Sequence, residues 1–391
     1  MRVGTRSGGA RALRAVARCL ALGIAIVVAG ATPASAHGVG GIQPTNYRTT
    51  VGSVTPEVRG ISVRAVDLGN RLELENDTAH DVTVLGYDRE PYLRVGPRGT
   101  FENVRSPAVY LNRSASTVPQ KLPATADAAA TPEWRRVSSS TSARWHDHRA
   151  HWMGTSDPPA VARDPGASHL VQRFVIRLRY EGRTLSVRGA VRWEPGPSPW
   201  PWVALAVALV AAGLVASRSR RWPHLAAGAL AVLLGAEAVH VIGVWGATTQ
   251  SQWSDLAQSA YSIGGIVLGT VALERLLRRG GYVAAPLLLC AGLFLAIAGG
   301  LADVTTLSHS QVPTTLPDGV TRLAVATVLG LGIAVAAIAA LHLRAPPRRA
   351  AANLPDATTA APGGAAVADA AAPDPALREA LRERSGSSGP R

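Results

Sequence analysis

The sequence predicts a protein of β plus membrane-α class: an exported antiparallel β-sandwich followed by a five-helix transmembrane bundle. Three observations lead there. The first 36 residues have the anatomy of a secretory signal, the next stretch carries two hairpin patterns, and five apolar runs follow Trp200 with loops of alternating basicity between them.

The signal comes first. Arg2, Arg6, Arg11, Arg14 and Arg18 precede the apolar run "CLALGIAIVVAGA", with no acidic residue, and "ASA" (Ala34 to Ala36) closes the segment as a small-residue cleavage site. The alternative, a retained N-terminal anchor, is disfavoured by the shortness of the run. Cleavage after Ala36 makes His37 the free N-terminus of "HGVGGIQP". Cys19 then leaves with the signal and Cys290 sits in a later apolar run, so the exported part has neither disulfides nor thiolate ligands.

Residues 37–197 are expected to form one exported domain with its own core. In "RGISVRAVDLGNRLELEN", Ile61, Val63 and Ala65 alternate with polar residues, a turn follows at Leu68-Gly69-Asn70, and Leu72 and Leu74 resume the pattern. "HLVQRFVIRLRYEGRTLSVRGAVRWEP" repeats it, with Phe174, Ile176, Leu178 and Tyr180 on one face and a turn at Glu181-Gly182. "DVTVLGY" and "PYLRV" add strands. Both hairpins need a second sheet over their apolar faces, hence a sandwich. Between them, about 101–170, alternation is weak, and this stretch is expected to be an irregular insert.

The apolar runs cover about 200–216, 225–246, 256–277, 282–302 and 320–343, lengths suited to crossing a ~30 Å hydrocarbon core. "SRSRR", "ERLLRRGG" and "RAPPRR" are basic, whereas "ATTQSQWSD" and "DVTTLSHSQVPTTLPDG" have no Lys or Arg. The positive-inside rule puts the basic loops in the cytoplasm, so residues 37–197 lie outside in the cell envelope and the C-terminus inside. The segment 344–391, rich in Ala, Pro, Asp and Gly, is expected to be a disordered cytoplasmic tail. A formal charge of +14 is not a nucleic-acid signature here: five charges leave with the signal and many others are topology arginines facing the bilayer.

The candidate chemistry lies in "RWHDHRAHWMG", Arg144 to Gly154, inside the insert. An extended chain puts His146 and His148 on one face, and a helix puts His148 and His151 together. Either way two imidazoles can converge on an ion, with the third histidine, Asp147 or Met153 completing or orienting the site. The alternative is structural: Trp145 and Trp152 pack on the sandwich while the polar residues bond the loop to itself. An N-terminal His37 adds a chelating pair, its α-amine and its imidazole. Copper is the expected ion for nitrogen donors, with zinc as the alternative.

Within the membrane, Glu237 and His240 share a helix face in the second run, and Asp303 and His309 lie at and beyond the outer end of the fourth. Ionisable residues in spans are costly, which makes these four a candidate path for an ion, or an interhelical polar contact. "GIVLG", Gly265 to Gly269, has the spacing for close helix packing.

The junction "ASAHG" resembles that of exported proteins whose N-terminal histidine binds copper: the small periplasmic copper-resistance carriers and, more distantly, the copper polysaccharide monooxygenases. That resemblance implies an immunoglobulin-like sandwich and a copper-ligand role for His37. The wider pattern, "PYLRVGPRGTFENVRSPAVYLN", then "EWRRVSSSTSARWHDHRAHWMG", then several spans, resembles exported multi-span membrane proteins of actinobacteria.

The sequence carries no phosphate-binding Gly-rich loop, nucleophile elbow or helical His-Glu-x-x-His. Five spans suit a copper carrier or sensor better than an oxidative copper enzyme. The competing expectation is a metal-free envelope module that binds another membrane protein.

Overall fold

Strand β2 (Ile61–Val66) pairs with β3 (Arg71–Asn76) as the alternation predicts, Ile61 opposite Asn76 and Val66 opposite Arg71. The turn between them holds Asp67, Leu68 and Gly69 all at positive φ, and a Cβ on Gly69 would lie 2.7 Å from Thr49, so glycine alone fits there. Strand β8 (Ser142–Trp145) pairs with the other edge of β3, completing a three-stranded sheet of order β2-β3-β8. The central strand carries a buried carboxylate, Glu73, bonded by Arg64 on one side at 2.6 Å and Arg144 on the other at 2.5 Å. This structure is a computed structural model, describing residues 42–113, 121–249 and 251–344. The expected signal peptide, His37 and the tail beyond Arg344 lie outside the described residues.

The second hairpin forms from β9 (His169–Tyr180) and β10 (Arg183–Trp193), turning through Glu181 and Gly182, both at positive φ, as a two-residue loop requires. It is joined by β1 (Tyr47–Thr55), β4 (Val82–Leu85), β5 (Pro91–Gly96), β6 (Gly99–Asn103) and β7 (Trp134–Ser138) in a seven-stranded antiparallel sheet, β1-β10-β9-β4-β5-β6-β7. Leu72, Leu74, Ala143 and Trp145 of the small sheet share one apolar core with Val84, Val95, Ile176, Leu178 and Val187 of the large one.

One expectation needs correction. The stretch 101–170 is not an irregular insert: it supplies the end of β6, all of β7 and β8, and two short helices, α1 (Pro107–Leu111) and α2 (Pro159–Arg163). Its strands are short and β7 is a sheet edge with mostly exposed side chains, so burial imposes no period-2 pattern. Strand β1, also a sheet edge with mostly exposed residues, escaped the alternation test for the same reason.

The helices are α3 (Trp200–Ala216), α4 (Trp222–Val244), α5 (Gln252–Arg279), α6 (Gly281–Leu295) and α7 (Asp318–Arg344), with a π-helical segment, Ala296–Leu301, prolonging α6. Four of these, α4, α5, α6 with its π segment, and α7, are long and apolar enough to cross a membrane. Helix α3, at 17 residues, is shorter, about 26 Å at 1.5 Å per residue. Gly265 and Gly269 of α5 do lie at close approaches, against Leu295 and Leu234 respectively.

The sheets rest on two loops of the helical part. Thr45 and Gln311 exchange backbone hydrogen bonds at 3.0 Å, and Ser310 donates to Asn46 at 2.8 Å. Asp67 accepts from the Thr249 amide at 2.6 Å and its hydroxyl at 2.8 Å.

Candidate metal centre

After Trp145 the chain leaves the sheet and makes one 3-10 turn, His148–Ala150. Asp147 caps it, accepting from the Arg149 amide at 3.0 Å. The same buried carboxylate accepts from Arg149 Nε at 2.9 Å, Arg149 Nη2 at 2.8 Å and the Trp145 indole at 3.0 Å. Four donors fill the capacity of its two oxygens, so Asp147 shapes the turn and offers no lone pair to an ion.

Arg149 reaches on to the carbonyls of Gly86 and Leu85, both at 3.2 Å, and covers the ring of Tyr87. Gln172 of β9 donates to the carbonyls of Arg149 and His151 at 2.9 and 3.0 Å, and Thr49 of β1 to that of Ala150 at 2.8 Å. Both sides of the turn are thus tied to the large sheet, which fixes where its histidines lie.

This path is neither of the two the sequence left open. A strand that breaks into a turn gathers all three rings around His146, whose centroid is 5.2 Å from that of His148 and 5.4 Å from that of His151. His146 Nδ1 lies 2.6 Å from the carbonyl oxygen of Asn70. A carbonyl only accepts, so Nδ1 carries the proton and Nε2 a lone pair. That Nε2 is buried and has no hydrogen-bond partner. A histidine that ligates a metal commonly has this arrangement, with its second nitrogen donating to a carbonyl.

Burial pushes the His151 imidazole down to about 4, helped by the neighbouring His146 and His148. Burial also lowers His146, against the opposing Asn70 hydrogen bond. Both rings are therefore neutral at physiological pH. The unfolded chain, with imidazoles near 6.5, holds more protons than the folded one from there down to about 4, so stability falls as pH falls through that window. Lowering the pH from about 7 to about 5 is expected to cost roughly 2 kcal/mol at His151 alone, and His151→Gln should flatten the dependence. A wild-type unfolding midpoint that stays level over that range would mean the ring is not buried in its neutral form.

Met153, half-buried beyond Trp152, is not one of the three gathered rings. Among the described residues no group of three or more His, Cys, Asp or Glu side chains is arranged to hold a metal ion. The stretch therefore does not make a complete ligand set by itself, and His37 lies outside the described residues.

The membrane candidates divide. Glu237 is wholly buried, and His240 is buried with Nε2 3.1 Å from Asp303 Oδ2. His309 belongs elsewhere: its Nδ1 bonds the Thr305 carbonyl at 2.7 Å, and its own carbonyl accepts from Arg322.

No protein-family model, no curated protein and no solved structure matches the chain. Its chemistry is accordingly read from these side chains alone. Reading by residue type missed Asn70, Tyr87 and Gln172. Asn70 acts through its main-chain carbonyl, which leaves no mark on composition, while Tyr87 accepts from the His148 amide at 3.1 Å from a loop 61 residues away.

Proposed function

We propose that this is a membrane-anchored extracytoplasmic copper-binding protein for copper delivery, sequestration or transport, with a site formed by the His146, His148 and His151 rings and completed by His37. The observation that carries the reading is the buried, unpartnered Nε2 of His146, held in the metal-ready tautomer by Asn70 and set beside two further imidazoles. A buried acceptor left without a partner costs roughly 1–3 kcal/mol, and an ion offsets that cost. Neutral imidazoles suit copper(II) best among common divalent ions, with zinc next.

The reading requires His37 to reach the turn from Ile42, the first described residue, over five residues whose extended span is at most about 18 Å. Its α-amine and imidazole would add two nitrogen donors to those of the turn. In this reading the two sheets form an immunoglobulin-like sandwich outside the plasma membrane, α3 joins the other four helices as a fifth span, and the tail is cytoplasmic. A reporter fused after Arg349 should be active only in the cytoplasm; activity on the outer face would reverse the orientation.

The deciding experiment is copper and zinc titration of the full-length protein in lipid nanodiscs, processed after Ala36. One equivalent of copper bound per chain is expected. Absence of stoichiometric copper and zinc would leave the metal-free envelope module as the better account.

A further inference from the structure

The helical part holds a second group of polar atoms, separate from the histidine turn and independent of any role for copper. Glu237 of α4 is wholly buried, and neither carboxyl oxygen has a hydrogen-bond partner. One turn outward on the same helix, His240 points Nε2 at Asp303, whose side chain is 37% exposed. An exposed carboxylate opposite Nε2 keeps the proton on that nitrogen, so Nδ1 bears a lone pair. Nδ1 is buried and unpartnered as well.

The three orphan atoms, two carboxyl oxygens and one imidazole nitrogen, are all acceptors. A buried acceptor cluster without a donor is costly in an apolar surround, and a positive hydrogen is what it lacks. Among the described residues no neighbour supplies one in hydrogen-bonding geometry. The π-helical segment presents Gly299, where a Cβ would overlap the Glu237 carboxyl, so backbone packs directly on the acid. Helix α5 turns Ser262 toward it, outside hydrogen-bonding geometry, with the buried Asp255 two turns further out. Arg322 of α7 is engaged with the Thr306 and His309 carbonyls and with Asp318.

We propose that Glu237, His240 and Asp303 form a proton-binding site inside the bundle, open to water at the Asp303 end and closed beyond Glu237. The proton on Glu237 leaves by transfer to Nδ1 of His240 as the Nε2 proton passes to Asp303 and then to water. The imidazole ends neutral, Glu237 ends as a carboxylate, and one proton has reached solvent. Inward of Glu237 the packing is Leu230, Leu233, Leu288, Leu295, Val335 and Ile338, as far as Trp222, on which the His342 ring stacks at 3.9 Å. The group is thus a half-path ending on an acid rather than a conduit across the bundle.

The test is labelling of the full-length protein in nanodiscs with dicyclohexylcarbodiimide, which adds the O–H of a protonated carboxylic acid across its C=N bond. The peptide carrying Glu237 should be labelled, with labelling lost in Glu237→Gln and falling as pH rises. Asp303→Asn should move that pH profile without abolishing the label. No label on wild-type Glu237, or a label indifferent to pH, would overturn the proposal. So would block of labelling by micromolar zinc or copper at every pH, which would make this a metal site. An unchanged profile in Asp303→Asn would remove the relay. Because the decisive profile is measured on the wild-type chain, a variant that fails to fold does not protect the idea.

Discussion

Placing one extra residue before His37 is expected to lower copper affinity at least about 100-fold, because the α-amine moves away and its chelate ring with the imidazole is broken. Replacing His146 and His148 with alanine should cost a similar factor by removing the oriented donor and a neighbour. If both sets of ligands serve one ion, the combined variant loses less than the product of the separate losses. A full product would mean two independent sites, and unchanged affinity in both variants would end the copper reading. Protons compete for the same lone pairs. His146 and His151, lowered by burial, should yield to protons only below the ordinary imidazole value near 6.5, whereas the His37 α-amine, ordinarily near 8, should yield first.

Asp147→Ala is expected to be the most destabilising single change in the β-sheet domain, about 3–5 kcal/mol. It strips four donors of their acceptor and leaves the Arg149 guanidinium, whose side chain is 22% exposed, without its counter-charge. Denaturation followed by tryptophan fluorescence is a direct measure, since Trp145 donates to the same carboxylate. Arg149→Ala in the same chain should recover part of the loss by removing the stranded cation. A change within about 0.5 kcal/mol of wild type would show that the turn is held by Gln172 and Thr49 without its cap.

The two predictions differ in how far they were legible before the structure. That histidines gather between Trp145 and Trp152 is plain in the sequence, but their convergence is not, since it depends on β8 stopping at Trp145 and a 3-10 turn beginning three residues later. Periodicity assumes one conformation throughout, and this stretch uses two. Asp147 looked like a ligand because residue type says nothing of who already occupies its oxygens. Both long hairpins were legible because one face of each is buried against the opposite sheet. The edge strands β1 and β7 were not, for lack of that constraint. Glu237 and His240 were readable as a pair from their spacing. Their partner Asp303 was placed only at the right end of its helix, and the π-helical turn that brings Gly299 onto the acid has no signature in "AIAGG".

The four-residue turn from Asp67 to Asn70 is bonded at both ends to different parts of the molecule. Asp67 grips Thr249, in the connection between α4 and α5, and the Asn70 carbonyl steers His146. One bonded path, from Thr249 through Asp67 to the Asn70 carbonyl, thus joins the α4–α5 connection to the His146 ring, so Asp67→Ala removes the anchor of the turn that orients that ring.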